Sequence, residues 1–188
     1  MTGESERQLS RLEDAATKPV SGGKRTPVEM GHYGIGIDKD GVWSHGGTPF
    51  PRLALAKLFA TVMRRDEQGD YWLQTPVERG RIDVEDAPFL IIEMAVSGEG
   101  RAQTIRFLDN LDEWTTLDET NRLRIAEDVE TETPRPYVAV RRGLEARLER
   151  PVFYELADLA IEDETGERLG VWSGGLFHDL GPVEDGGS

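Results

Sequence analysis

The feature that most limits what this chain can fold into is a partial internal repeat. The passage IGIDKDGVWSHGGTPFPRLALAKLFATVMRRDEQGDYWLQTP begins at Ile35. It is echoed by YVAVRRGLEARLERPVFYELADLAIEDETGERLGVWSGG, beginning at Tyr137. Gly41 aligns with Gly143 and Pro49 with Pro151. Leu55, Ala56 and Leu58 align with Leu156, Ala157 and Leu159. Asp66, Glu67 and Gly69 align with Asp163, Glu164 and Gly166. Each passage has the order hairpin, proline, helix, acidic-glycine turn, strand. A spacing of about 100 residues exceeds the roughly 20–50-residue period of solenoids, so the pattern implies a duplicated unit rather than an array.

The local patterns point to an α+β fold with antiparallel sheets. Leu55, Leu58, Phe59, Val62 and Met63 form one apolar helical stripe. Arg64 and Arg65 then suit the negative end of that helix. Val152, Leu156, Leu159 and Ala160 make a second stripe, and Tyr154 falls off it. SERQLSRLEDAA predicts a short helix through Leu9 and Leu12, followed by a linker from Thr17 to Pro27. YWLQTP, GRIDVED, FLIIEMAV, AQTIRFLDN, EWTTLD, RLRIAED, YVAVR and LEARLE read as strands bounded by turn residues. Many strands with few helices favour antiparallel sheets over a doubly wound fold.

The second copy gathers Arg141, Arg142, Arg147 and Arg150 beside Tyr137 and Tyr154, in a chain of net charge -14. If Arg141-Arg142-Gly143 is a three-residue loop with Gly143 left-handed, Val140 faces Leu144 and Val138 faces Ala146. Val138, Val140, Leu144, Ala146 and Leu148 then line one face. Tyr137, Glu145, Arg147 and Glu149 line the other. The bland interpretation is an exposed strand face with a weak ion pair. The functional one places Arg147, held by Glu145, where its planar fork meets a phosphate or carboxylate. Aligning the glycines makes His45 the counterpart of Arg147 and Trp43 that of Glu145, so the two faces are expected to meet or to line a shared groove.

Composition removes several alternatives. There is no cysteine among the 188 residues, so disulfides, thiolate metal sites and cysteine nucleophiles are excluded. The acidic balance disfavours bulk nucleic-acid binding, and also fits a saline habitat. No signal-like or membrane-spanning apolar run occurs, so a cytoplasmic location without membrane attachment is expected. His32, His45 and His178 are scattered, and DKDG lacks the later glutamate of a calcium loop, so no metal site is expected. The phosphate-binding and dinucleotide glycine spacings and the serine-hydrolase elbow are missing. Glu78, Asp83, Glu85 and Asp86 have no companion nucleophile and read as a solvated edge and turn.

Three segments together carry a resemblance. DGVWSHGGTPFPRLALAKLFATVMRRDEQGDYWLQTPVERGRIDVEDAPF, PYVAVRRGLEARLERPVFYELADL and GVWSGGLF are similar to the uncharacterised bacterial family known as domain of unknown function 1285, over residues 27–181. Matching positions include Trp43, His45, Thr75, Glu78, Asp86, Tyr137, Arg141, Gly143, Glu145 and Tyr154. The resemblance implies a two-part chain, read here as domains 29–87 and 88–182; composition marks residues 1–28 as a flexible N-terminal segment and 183–188 as a flexible tail. It also implies a C-terminal half resembling a pleckstrin-homology-like barrel, a ligand site between the halves for a nucleotide-like molecule, and a signalling role. It supplies no catalytic residue and no cofactor. Where relatives carry His-Pro before RLRIAED, this chain has Asn121 and Arg122, which would alter specificity if that pair touches ligand.

The expectation is a non-enzymatic ligand-binding or regulatory protein for a small anionic ligand, a nucleotide being one candidate. Trp43, His45, Tyr137, Arg141, Glu145, Arg147 and Tyr154 would form its site. The alternative is a protein-interaction adaptor that docks a partner on a sheet edge or on the pleckstrin-like half. A hydrolase using His45 with a carboxylate is the third reading.

Overall fold

The structure, a computed structural model, describes residues 2–17, 26–128 and 133–183. The chain divides into two compact units, Met1–Pro88 and Phe89–Ser188. Residues 18–25 of the expected linker and 184–188 of the expected tail lie outside the described residues.

Unit 1 opens with α1, Thr2–Thr17, longer than the short helix its leucines predict. Leu12 and Ala15 are buried. The helix packs on α2, Leu53–Val62. One six-stranded sheet follows, built from β1 Val28–Ile37, β2 Trp43–His45, β3 Thr48–Pro49, β4 Met63–Arg65, β5 Tyr71–Gln74 and β6 Glu78–Val84. Its order is β3-β2-β1-β6-β5-β4. Tyr33, Ile35 and Ile37 alternate into the core, as a strand's two-residue period requires. The buried face of α2 is Leu55, Ala56, Phe59 and Ala60 rather than the leucine-valine stripe alone, because α2 meets α1 as well as the sheet. Arg64 reaches back over the end of α2, donating to the Met63 carbonyl at 2.6 Å and to the Thr61 carbonyl at 3.5 Å. Met63 is already extended (φ -70°, ψ 142°), so both arginines belong to β4.

Unit 2 contains β7 Phe89–Ser97, β8 Thr104–Asp109, β9 Trp114–Thr116, β10 Leu123–Glu127, β11 Pro134–Ala139 and β12 Glu145–Leu148. They form a second six-stranded sheet of order β10-β11-β12-β7-β8-β9. Then come α3, Arg150–Ala157, and a three-stranded sheet of β13 Ile161–Glu162, β14 Arg168–Ser173 and β15 Leu176–Pro182. Pro151 sits in the first turn of α3, where its missing N–H costs no hydrogen bond. Gly181 and Pro182 close β15, within the expected bounds of the second domain. Ser173 fastens the small sheet to the larger one. Its hydroxyl accepts from Ile105 N at 2.9 Å and donates to the Leu117 carbonyl at 2.6 Å. Phe89, Ile91, Ile105, Phe107, Leu117, Val138 and Leu144 are fully enclosed around this junction.

Both large sheets are mixed, not purely antiparallel as expected. β1 pairs with β6 in parallel, and β12 with β7. A parallel pair needs a long crossover instead of a tight turn. Here the segments between the paired strands contain several elements of the same unit, a connectivity invisible to a reading that pairs neighbouring strands.

Candidate functional site

The hairpin that carries the arginines has the register its sequence requires. Val138 stands opposite Ala146, Tyr137 opposite Arg147 and Ala139 opposite Glu145. Val140 N donates to the Leu144 carbonyl at 2.9 Å, closing the three-residue loop Arg141-Arg142-Gly143. Gly143 is left-handed at φ 74°, and Arg142 joins it at φ 58°. Val138, Val140, Leu144, Ala146 and Leu148 are buried on one face, as expected. In unit 1, Ile37 stands opposite Trp43 and Ile35 opposite His45 across a loop ending at Gly41, φ 75°. The columns aligned from sequence therefore coincide with the observed pairing.

The two faces differ in what covers them. Ile35, Ile37, Trp43 and His45 all point into the core of unit 1. Trp43 packs on Phe50 at 5.8 Å, and its Nε1 has no hydrogen-bond partner among the described residues. Both Trp43 and His45 are thus packing residues of unit 1. The equivalent face of unit 2 is polar. Arg124, Tyr137 and Arg147 are direct neighbours in a row across β10, β11 and β12. The Arg124 guanidinium lies 4.3 Å from the Tyr137 ring centroid and grips Glu145 with two bonds of 2.7 and 2.8 Å. Arg124, absent from the sequence-derived list, is the partner that fixes both Tyr137 and Glu145.

Arg147 borders a small cavity of about 190 Å³ in unit 2, with Arg135, Arg150 and Asp128 around it and Phe153 as an apolar wall. Arg135 Nε lies 3.3 Å from Asp128 Oδ2. Among the described residues, three arginines and one aspartate line it, in a chain of net charge -14. Arg150 and Phe153 come from the first turn of α3, so the positive end of that helix lies at the same cavity. The sequence singled out Arg147 and Arg150. It gave no signal for Arg135, which lies elsewhere in the chain and reaches the cavity only through β11.

The remaining expected residues lie apart from this cavity. Tyr154 is 62% exposed on α3. Arg141 stacks on Phe89 at 4.4 Å and pairs with Glu113 at 2.7 Å and with Asp109 at 3.4 Å. Asp109 is completely buried and also accepts from Leu111 N and Glu113 N. Arg141 therefore neutralises an interior carboxylate. Asn121 and Arg122, the pair at the point of departure from the family pattern, close a turn. Asn121 Nδ2 donates to the Thr116 carbonyl and Arg122 Nε to the Glu119 carbonyl.

Unit 1 holds a second polar cluster that the sequence reading missed. Glu78 is buried, with Arg11 of α1 at 2.5 Å and the Tyr33 hydroxyl at 3.3 Å. Burial, together with the Glu78 charge, drives the Tyr33 hydroxyl far above its ordinary range. Glu78 is thus an interior anchor, not the solvated edge expected. Among the described residues, no group of three or more His, Asp or Glu is arranged to hold a metal ion, and no helix is long and apolar enough to cross a membrane.

The fold and these clusters define a two-unit, mostly-sheet protein with few helices, in which each unit carries a six-stranded mixed sheet. Two family models match, and between them they span most of the chain. They are the domain of unknown function (DUF1285), N-terminal domain, over residues 19–87, and the protein of unknown function (DUF1285), C-terminal domain, over residues 88–180. The chain belongs to the DUF1285 family. It is 37% identical to a DUF1285 family protein from Silicibacter pomeroyi DSS-3, whose crystal structure matches at a TM-score of 0.81 over 93% of this chain and 96% of that one. A DUF1285 family protein from Shewanella baltica OS155 is 25% identical, with a TM-score of 0.54 over 66% of this chain and 91% of that one. No curated protein matches the chain.

Proposed function

We propose that this protein is a non-enzymatic, regulatory binding protein, and that its C-terminal unit takes a small anionic ligand at the cavity bordered by Arg135, Arg147 and Arg150. One observation carries the reading: three arginines are among the described residues that line one small cavity of a strongly acidic chain. Arginine forks suit phosphate or carboxylate oxygens, and Phe153 supplies an apolar wall. Size decides the kind of ligand. About 190 Å³ is below the roughly 300–1,000 Å³ of sites that enclose drug-sized molecules. The cavity suits one phosphate or carboxylate group, so a nucleotide would seat a phosphate there and leave its base outside.

Two structural readings accompany this one. Duplication is supported by the two hairpins, each with a glycine of positive φ ending a three-residue loop, followed by a proline, a helix and an Asp-x-x-Gly turn with Gly69 or Gly166 left-handed. A pleckstrin-homology-like character for unit 2 is supported by two sheets fastened at Ser173 and a single helix.

The test is a thermal-shift titration of the full chain with inorganic phosphate, nucleotides and phosphorylated metabolites at several salt concentrations. A ligand at a hundred times its dissociation constant stabilises the protein by about 2.7 kcal/mol. Arg147→Ala is expected to weaken binding by about 1–3 kcal/mol, while Arg142→Ala, in the exposed hairpin loop, leaves it unchanged. Equal affinity of the Arg147→Ala protein and its parent for a confirmed ligand would refute the site.

A further inference from the structure

The outer edge of β10 leads to a separate inference, which does not rest on the anion-binding reading. β10 is the last strand of its sheet. Ala139 N donates to the Arg122 carbonyl and Asp128 N to the Thr133 carbonyl. Between these bonded pairs, Ile125 stands opposite Pro136 and Glu127 opposite Pro134. Proline has no N–H to give. An antiparallel ladder alternates bonded and non-bonded pairs, so Leu123, Ile125 and Glu127 occupy the non-bonded positions. Their own N–H and C=O groups therefore point away from β11. None of the three makes another hydrogen bond among the described residues.

These outward groups border a groove of about 600 Å³, whose opposite wall includes Leu180 and Pro182 of β15. β15 is itself the outer strand of the small sheet. It comes alongside β10 without pairing to it. The groove thus offers backbone donors and acceptors at every second residue, with Leu123 and Ile125 as apolar side-chain contacts. Another strand's backbone matches that spacing. The charge is also specific. Arg168, on the β15 side, is neutralised by Asp179. Glu127 has no ion-pair partner among the described residues.

We propose that the β10 edge docks an extended segment of a partner protein, apolar at alternate positions and basic where it passes Glu127. The five residues of β10 span about 16 Å at roughly 3.3 Å per residue, which sets the length of the docked strand at about five residues.

The experiment pans the full chain against a displayed library of random octapeptides, then measures an enriched peptide by fluorescence anisotropy. Enrichment of alternating apolar-basic peptides is expected. N-methylation of that peptide at the residues facing β10 is expected to lower affinity at least tenfold. Ile125→Pro removes one outward N–H without touching the β11 ladder, and is expected to lower affinity similarly. No enrichment overturns the proposal, and so does equal binding of the N-methylated peptide, a result that needs no variant to fold. Sedimentation distinguishes the other occupant: a dimer of the full chain that Ile125→Pro converts to monomer assigns the edge to a second copy and overturns the peptide reading.

Discussion

Gly80→Ala is a small change whose sign tests the packing of unit 1. Gly80 lies in β6 opposite Leu73, and the Tyr33 ring of β1 covers it. A Cβ at Gly80 would sit 2.5 Å from Tyr33 Cε2 and 2.7 Å from Cδ2 and Cζ. Ordinary carbon contacts are about 3.5–4.0 Å, so the ring must retreat by roughly 1 Å. It has nowhere easy to go, because Tyr33 is only 3% exposed and its hydroxyl is bonded to buried Glu78. Overpacking of this kind costs about 1–3 kcal/mol. In an uncrowded strand the same change would stabilise by roughly 0.5–1 kcal/mol, since glycine is the more flexible residue in the unfolded chain. The assay is urea unfolding followed by tryptophan fluorescence. Trp114→Phe and Trp172→Phe in the background leave Trp43 and Trp72 to report on unit 1. Gly80→Ala is expected to destabilise the parent and to be neutral or stabilising with Tyr33→Leu, a coupling of at least about 1 kcal/mol. With Tyr33→Phe, which keeps the ring, the full cost should remain. Equal effects of Gly80→Ala in the parent and Tyr33→Leu backgrounds would refute the reasoning.

Two further predictions concern unit 2. Burial holds the His178 imidazole below its ordinary value, with the charge of Arg122 acting in the same direction. The folded protein therefore keeps His178 neutral where the unfolded chain already protonates. Acidification from about pH 6.5 downwards should favour unfolding, by at most about 1.4 kcal/mol per pH unit from this one proton. His178→Gln should flatten that slope in urea unfolding between about pH 5 and 7, the 6.5 reference coming from an unperturbed imidazole. An unchanged slope would remove His178 as the cause. Arg141→Met removes the guanidinium that faces fully buried Asp109. Breaking a buried pair from one side costs about 3–5 kcal/mol. Adding Asp109→Asn should recover much of that loss in the same unfolding assay; no recovery would show that the pairing is not what the arginine supplies.

The strands of both units were legible because their apolar residues alternate and their boundaries carry glycine, proline or aspartate. The hairpin around Gly143 was legible to the residue, since only a three-residue loop buries Val138, Val140 and Leu144 together. The pairing partners of distant strands were not. Nothing local in β1 specifies that it lies parallel to β6, or in β12 that it lies parallel to β7. The same limit applies to the cavity. Arg147 and Arg150 are close in sequence, but Arg135 and Asp128 reach them through the fold of β10 and β11. Glu78 reads from sequence as solvated because it shares a short segment with Asp83, Glu85 and Asp86. Its burial depends on α1 delivering Arg11 from far along the chain.

The two hairpins share a loop geometry and yet turn different faces to their cores. A one-residue slip of a hairpin exchanges its faces. Neither hairpin slips: both keep a three-residue loop ending in a left-handed glycine, so the columns stay aligned. What changes is the residues within the columns. In unit 1 the pair Gly36 and Ser44 leaves one face small, and Ile35, Ile37, Trp43 and His45 load the core face. In unit 2 the aligned pair is Val138 and Ala146, fully buried, and the columns that face the core in unit 1 hold Tyr137, Ala139, Glu145 and Arg147. Inverting which column is apolar turns the second hairpin over against its core without altering its loop. The face thus released carries Arg147 to the cavity wall. Arg147 stays out of the core because the unit 2 hairpin, unlike that of unit 1, turns the opposite face inward.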